Sequence, residues 1–382
     1  MIVVQQMRRF GAGFAALALV ASSCGGEDIT ATTEALSTTT PGPSVATSTS
    51  VPEVSTTTAA APTTTTTEAP PPSFALDFRP VLGPGEPVWD SNFLVPGALI
   101  DVDGLLHLFY NGHDIQGTSA TRAAIGLATS DDGKFFGRVL DEPLFDAAER
   151  AWTDAGIVVS SGLILEDGTW ALYFHTVSRP FSQRGGVIGR ATAERAEGPW
   201  IVDPEPLLEL GSEGEWDGSG LSHPSVVRAA DGSFVMYYDA HIRDEDVNPD
   251  RFIGLATSPD GATWTKHDDP ATAEAPFAES DPIFGVGAEG EWDALRVQHP
   301  SVIETTDGYA MLYMSNHKGA QPGLVWEWGI ATSADGMSWE RSDGDPFWTT
   351  KGVFGFITSS GFIEFKGEWI MLVDAAGSIT TP

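Results

Sequence analysis

The sequence predicts an all-β fold, a five-bladed β-propeller, with an N-terminal strand that closes the last blade. Three short patterns recur along residues 74–382 and support this prediction. They are an Asp-Gly or Lys-Gly turn before an apolar strand, a strand such as IGLATS at 253–258, and a Trp-Asp pair such as Trp216-Asp217. The Asp-Gly turns at 103, 167 and 231 follow each other at intervals of 64 residues, enough for about four short strands with their turns.

The strands themselves are short apolar stretches between Gly and Asp turns, such as SFVMYY at 233–238, and no stretch shows sustained helical periodicity. We expect four antiparallel strands per unit, named A to D from the propeller axis outward. A β-sandwich is the alternative all-β fold, but it does not explain five copies of one pattern. The fifth unit is short, and residues 78–90 resemble residues 281–293 of another unit. We therefore expect the strand at 78–90 to complete the last blade beside the C-terminal strands.

The first 23 residues have the pattern of a bacterial lipoprotein signal peptide. Arg8 and Arg9 precede an apolar run at 10–20 that is too short to span a bilayer, and small residues lead to Cys24, the only cysteine. This resemblance to a lipobox implies cleavage before Cys24, lipidation of its sulfur, and an extracytoplasmic protein anchored to the bacterial membrane. An ordinary secretory signal or an uncleaved anchor is the alternative.

Residues 24–73 hold Cys24 and a Thr- and Pro-rich stretch that we expect to be a disordered linker, because it has almost no large apolar side chains. Residues 74–382 are then the folded domain. Its charge bounds the function, since a formal net charge of −33 over the chain argues against nucleic acid and anionic membrane surfaces as partners. We expect a monomer that touches the membrane through its lipid anchor only.

The histidines gather on one predicted face. Starts of A strands and connections between B and C strands share one end of an antiparallel blade, and six of the eight histidines fall there. His223 and His299 lie at A-strand starts, and four more lie just after B strands. The predicted substrate-binding residues are His113, His175, His223, Asp239, His241, His299 and His317.

Each of these predictions has a structural alternative. The Trp-Asp pairs recur in four units, so Asp90 and Asp154 are expected to brace their blades rather than to catalyse. His223 and His299 lie in the repeated phrase HPSV, which favours a backbone-bonding role near the axis. A central ion held by His223 or His299 has no short-range ligand motif to support it, so we expect no metal and no cofactor.

The phrases HPSVVRAADGSFVMYYD at 223–239, IGLATSPDGATW at 253–264 and IGRATAERAEGPW at 188–200 resemble five-bladed glycoside hydrolases of the arabinanase, levansucrase and invertase type, above all family 43. The resemblance implies carboxylates at the A-strand starts of the first three blades, acting as general base, pKa modulator and general acid. This chain has Val95, Ser160 or Ser161, and His223 there, and none of them is an acid. The S-x-D-G-x-x-W turns also resemble the Asp-box of sialidases, which have a different number of units.

The remaining candidates for catalytic carboxylates are Asp90, Asp154 and Asp239. Asp239 stands out because other units place Asn111, His175 or Ser315 near the equivalent position. Two functions stay open. One is a surface-tethered, glycosidase-like hydrolase acting on polysaccharide or oligosaccharide. The alternative is a non-catalytic glycan-binding propeller lipoprotein that has lost the acids, and carbohydrate is the expected partner of both.

Overall fold

The computed structural model describes residues 2–7, 79–83, 88–90, 93–113, 124–146, 151–153, 156–177, 186–241, 251–318, 324–343, 345–350 and 360–374. Its regular elements are β-strands, with two single 3-10 turns at Val88–Asp90 and Ala151–Thr153. Over these residues we find no helix with the length and apolar character that a membrane crossing requires. The first two described strands are β1 (Ile2–Met7) and β2 (Arg79–Leu82).

Four antiparallel sheets are each built from one continuous stretch of chain. Sheet 1 contains β3 (Phe93–Val102), β4 (Leu105–His113), β5 (Ala124–Ser130), β6 (Gly137–Arg138) and β7 (Phe145–Asp146). Sheet 2 contains β8 (Ile157–Ile164), β9 (Trp170–Thr176), β10 (Ile188–Ala193) and β11 (Ile201–Val202). Sheet 3 contains β12 (Gly220–Arg228), β13 (Phe234–His241), β14 (Arg251–Ser258), β15 (Thr265–Lys266) and β16 (Pro282–Phe284). Sheet 4 contains β17 (Gln298–Thr305), β18 (Gly308–Lys318), β19 (Leu324–Ser333), β20 (Glu340–Arg341) and β21 (Trp348–Thr349).

Sheet 5 combines both ends of the chain. It contains β22 (Ser360–Phe365) and β23 (Glu368–Asp374), and its strand order is β22, β23, β1, β2. The predicted N-terminal strand therefore does belong to the last sheet, but it does not lie beside the C-terminal strand. Ile2–Met7 pairs with β23 over six residues, and β2 pairs with the outer side of β1. This insertion was not predicted from the sequence, because residues 2–7 fall inside the predicted signal peptide.

The repeated turns explain why the pattern recurs. In the Asp103-Gly104 turn both residues have positive φ, 52° and 80°, which is the geometry of a two-residue type I′ hairpin. In the S-x-D-G turn of sheet 3, the Ser258 hydroxyl accepts the Gly261 N–H at 2.8 Å and the Asp260 carboxylate accepts the Thr263 N–H at 2.7 Å. These side chains satisfy backbone donors that a tight turn leaves unpaired.

The core is divided among the junctions between sheets. Each of five apolar clusters joins two neighbours, namely sheets 1 and 2, 2 and 3, 3 and 4, 4 and 5, and 5 and 1. The second strand of a sheet contributes to the junctions on both of its sides, and β9 is accordingly buried at every position. This arrangement confirms the all-β class and the propeller architecture. The first strands lie innermost and line an axial cavity of about 100 Å³.

Candidate functional site: a histidine cluster at one end of the axis

The structure places the predicted histidines at one end of their sheets. His113, His175, His241 and His317 lie at or within one residue of the end of a second strand, inside the strand rather than after it. The first strands begin at that same end, because each is antiparallel to its second strand. The side chains of His113 and His317 lie outside the described residues, whereas those of the other four predicted histidines are described.

His223 and His299 sit on bulges in their first strands. The pairing register shifts between Ser222 and Ser225 in β12, and between Gln298 and Ser301 in β17. Both histidines have left-handed backbones, with φ of 49° and 54°, a conformation that residues other than glycine seldom adopt. Such backbone strain costs about 1–3 kcal/mol and persists where neighbouring contacts hold it in place.

Polar side chains on the second strands of sheets 1, 2 and 3 tie each of these sheets to the next. Asn111 accepts the Val159 N–H at 2.8 Å and donates to the Val159 carbonyl at 3.0 Å. His175 accepts the His223 N–H at its Nδ1, at 3.1 Å, and Asp239 accepts the His299 N–H at 3.0 Å. We call Asn111, His175 and Asp239 the staples. They show that one function of these positions is structural.

The fourth staple position is held by Met314 rather than Ser315. Asp239 stands opposite Ile253, and the residue opposite the corresponding Trp328 in sheet 4 is Met314. The offset arises at the preceding turn. In sheet 3 the residue that pairs with Ser258 is the second one after the turn glycine. In sheet 4 the residue that pairs with the matching serine, Ser333, is Tyr309, which comes directly after the turn glycine. Counting residues from the Asp-Gly turn therefore identifies Ser315 as the fourth staple position, which is one residue too far along the chain.

Asp239 is the electrostatic centre of the site. It is fully buried, and its Oδ1 accepts both the His299 N–H and a hydrogen bond of 2.7 Å from His223 Nδ1, while its Oδ2 accepts Arg251 Nη1 at 2.7 Å. Burial alone would raise the pKa of Asp239, but the hydrogen bond from His223 and the charge of Arg251 hold that pKa well below 3.8. Asp239 is therefore an ionised carboxylate, which makes it unsuited to be a general acid.

His223 stacks on His299, and the tilted His175 ring lies against His223. The ring centroids of His223 and His299 are 3.3 Å apart with an interplanar angle of 23°, and those of His175 and His223 are 4.5 Å apart. The Trp326 ring approaches His299 edge-on at 6.5 Å. We call His175, His223, His299, Asp239, Arg251 and Trp326 the histidine cluster.

The cluster combines buried neutral rings with a partly open one. Burial lowers the pKa values of His175 and His299 well below 6.5, and the nearby charge of Arg251 adds to this effect, so both rings are neutral at pH 7. His299 Nδ1 is buried and has no hydrogen-bond partner in the described part of the chain. The His223 side chain keeps 14% of its surface exposed and that of Arg251 keeps 22%, so solvent reaches both of them.

The axial positions expected to carry acids hold structural residues instead. Val95 is buried and pairs with Asn111. The Ser161 hydroxyl accepts the Val226 N–H at 2.9 Å, and Ser160 lines the axial cavity beside it. The absence of carboxylates that the sequence shows at these positions therefore agrees with their packing.

Asp90 acts as a brace. Its Oδ2 accepts Tyr110 Oη at 3.0 Å and Arg138 Nε at 2.7 Å, and the carboxylate is 1% exposed. Asp293, which precedes sheet 4, has the equivalent partners, since its Oδ2 accepts Tyr313 Oη at 3.1 Å and Arg341 Nε at 2.7 Å. This repetition supports the structural alternative for the Trp-Asp pairs. Asp154 lies outside the described residues.

Two members of the cluster were not among the predicted site residues. Arg251 opens β14 directly opposite His241, so the pairing of strands two and three carries it to Asp239. Trp326 reaches His299 from β19. The sequence signal for Arg251 was its position at the start of a third strand. No group of three or more His, Cys, Asp or Glu side chains suited to a metal occurs among the residues that the structure describes.

A larger cavity lies at the opposite end, at the outer edge of the junction between sheets 4 and 5. It has a volume of about 650 Å³ and is lined by Asp307, Tyr309, Asp335, Trp339 and Trp369, among others. At other junctions a turn of the next sheet occupies the corresponding place, as where Tyr237 donates to the Gly336 carbonyl at 2.9 Å. This cavity is separate from the histidine cluster.

Comparison with known proteins supports the fold. No protein-family model matches the chain. An uncharacterized protein found in two strains of Mycobacterium tuberculosis is 31% identical over 208 residues, which are 52% of this chain and 61% of the relative. The match thus spans less than two thirds of the length of these relatives.

Solved structures match a larger part of the chain. A structure titled as a study of the family 130 mannoside phosphorylases, which contain hydrolases of β-1,2 mannosidic linkages in Candida mannan, matches with a TM-score of 0.57 and 17% identity. A glycosyl hydrolase from Bacteroides ovatus matches with a TM-score of 0.58 and 19% identity. These matches cover 79% and 80% of this chain, and 94% and 92% of the respective structures. The fold is that of the propeller glycoside hydrolases. The family resemblance seen in the sequence is thereby confirmed at the level of architecture.

Proposed function

We propose that the protein binds carbohydrate through the histidine cluster. The observation that carries this proposal is a group of imidazole rings and one indole at the axial end of a glycoside-hydrolase-type propeller, with a partly open ring at its centre. Flat, amphipathic rings stack on the apolar faces of sugars, and ring nitrogens exchange hydrogen bonds with hydroxyl groups.

The described residues favour binding over hydrolysis by two carboxylates. Such hydrolysis needs one carboxyl of raised pKa and a second carboxylate, separated by roughly 5–9.5 Å. Asp239, the described carboxylate that is hydrogen-bonded to His223 and to the His299 backbone, has a lowered pKa, and both of its oxygens are hydrogen-bonded. A glycosidase of the family 43 type is therefore the second candidate, and its support is the shared fold.

We also propose that the composite sheet 5 is the fifth blade and that the mature protein is a monomeric lipoprotein anchored outside the cell through Cys24. The basic start, apolar run and small residues before the cysteine support the anchor. Cleavage there would remove β1 from sheet 5. Identifying the N-terminal residue of the mature chain therefore tests both the lipid anchor and the presence of β1 in sheet 5.

The test is a binding screen of the full chain by calorimetry against arabinan, xylan, fructan and mannan oligosaccharides. We expect one class to bind, and we expect Trp326→Ala to weaken it about 3- to 10-fold, since an aromatic contact contributes roughly 0.5–1.5 kcal/mol beyond area burial. Trp264→Ala is the matched control, because Trp264 packs edge-on against Tyr173 outside the cluster. Equal loss in both variants, or no binding across the panel, would contradict the proposal.

A further inference from the structure

We propose that His223 is a proton acceptor, a general base that acts through Nε2 on a water molecule beside a bound saccharide. This inference rests on the proposed binding site and adds a reaction to it. It uses a histidine and its orienting carboxylate in place of a pair of carboxylates.

The first support is the His223–Asp239 pair. The Asp239 carboxylate is ionised, so the 2.7 Å contact to His223 Nδ1 is a hydrogen bond that the ring donates. A neutral imidazole carries one N–H, and fixing it at Nδ1 leaves a lone pair at Nε2. A carboxylate that holds one ring nitrogen so that the other accepts protons is the arrangement that activates nucleophiles in hydrolases.

The second support is that the staples do not require the His223 side chain. Asn111 ties sheet 1 to sheet 2 through the backbone of Val159, whose side chain is apolar. The staple from His175 likewise uses the backbone N–H of His223, and the staple from Asp239 uses the backbone N–H of His299. The imidazole of His223 is thus additional to the structural role of its position.

The third support is that the ring is held still. His175 and His299 flank it at centroid distances of 4.5 and 3.3 Å, and the left-handed backbone at φ 49° sets its direction. Among the residues that the structure describes, the titratable and charged groups that face it are His175, His299, Asp239 and Arg251. Both flanking rings are neutral, and Arg251 neutralises Asp239, so a proton gained at Nε2 forms the one additional charge of the cluster.

Water is the only co-reactant that the proposed hydrolysis needs. As Nε2 takes a proton from water, the water oxygen bonds to the anomeric carbon of the saccharide. The bond from that carbon to the leaving oxygen breaks, and its electron pair stays on the leaving oxygen, which takes a proton from solvent. The imidazolium then returns its proton to solvent. Because solvent rather than a side chain protonates the leaving oxygen in this step, the site should favour substrates whose leaving group is a stable anion.

The test uses the full chain with 4-nitrophenyl glycosides of arabinose, xylose and mannose, whose phenolate leaves without protonation. We expect cleavage of one of them, with kcat/KM falling roughly 10²- to 10⁴-fold in His223→Asn. Asparagine tolerates the left-handed backbone, so this variant should fold. His267→Asn in the outer part of sheet 3 is the control and should keep the wild-type rate.

Two further readouts separate this inference from the binding proposal. Nitrogen NMR of the wild-type protein should show His223 protonated at Nδ1 and bare at Nε2, and Asp239→Asn should alter the pH-rate profile as well as the rate. Glycan binding without cleavage would leave the proposed function standing and overturn this inference. The opposite tautomer, or unchanged cleavage in His223→Asn, would overturn it as well.

Discussion

Replacing Asp345 by asparagine should stabilise the protein at alkaline pH and leave it unchanged in acid. Asp345 is partly buried near the Asp293 carboxylate, and its Oδ2 accepts the Ile330 N–H at 2.9 Å. Burial, aided by the charge of Asp293, raises the pKa of Asp345 to about 7 from 3.8. An asparagine carbonyl keeps the hydrogen bond from Ile330 but carries no charge.

The direction and size of the change in stability depend on the pKa values of Asp345 in the folded and unfolded states. Because the folded pKa is raised, the folded state holds its proton more tightly than the unfolded chain does. The stability linked to this proton is fully present below pH 3.8 and is lost as the pH rises through about 7. A pKa difference from 3.8 to about 7 corresponds to about 4 kcal/mol at pH 8. Asp345→Asn should therefore raise the free energy of unfolding by an amount of this order at pH 8, and by almost nothing at pH 4.

The assay is urea unfolding of wild type and Asp345→Asn at pH 4, 6 and 8, read by tryptophan fluorescence. Asp343→Asn is the matched control, since Asp343 is exposed two residues away and should change stability by less than about 0.5 kcal/mol at every pH. A gain that does not depend on pH, or a loss at pH 8, would show that the Asp345 carboxyl is not held protonated in the folded state.

Three other outcomes are expected. Asp90→Asn breaks a buried pair with Arg138 and should cost about 3–5 kcal/mol in urea unfolding without a selective loss of glycan binding; a selective loss of binding at unchanged stability would mark Asp90 as a site residue. The lowered pKa of His299 means that stability present above pH 6.5 is lost as the pH falls below it, so His299→Gln should show a smaller loss of melting temperature between pH 7 and 5 than wild type; equal losses would contradict a buried neutral ring. Mass spectrometry of the protein made in a bacterial host should find a lipidated N-terminal Cys24, and Cys24→Ser should leave the precursor uncleaved; an intact N-terminus in the wild type would argue instead that Ile2–Met7 stays in sheet 5.

Local patterns made much of the fold predictable. The Asp-Gly turns, the S-x-D-G turns and the Trp-Asp braces each rest on contacts between residues close in sequence or repeated in several units, so the sequence carries them directly. The face on which the histidines lie followed from strand direction alone. The resemblance to propeller hydrolases came from the same repeats, and for that reason it extended to architecture and not to the catalytic acids.

The rest depends on contacts between distant residues. Insertion of Ile2–Met7 beside β23 joins segments at the two ends of the chain, and no local pattern encodes that pairing. Arg251 reaches Asp239 only through the register between β13 and β14. The stacking of His223 on His299 depends on how the bulges of two neighbouring sheets meet, which spacing along the chain does not determine.

The methionine at the fourth staple position has a consequence for the order in which the ring assembles. A thioether is a weak hydrogen-bond acceptor, so Met314 joins sheets 4 and 5 through apolar packing, whereas the three preceding junctions also have directional hydrogen bonds. Sheets 1 to 4 are also consecutive in the chain, which keeps the cost of closing their loops small. We expect these four sheets to form one cooperative folding unit, with the junction between sheets 4 and 5 closing last and opening first. Amide hydrogens of β22 and β23 should then exchange with solvent earlier than those of β9 and β13.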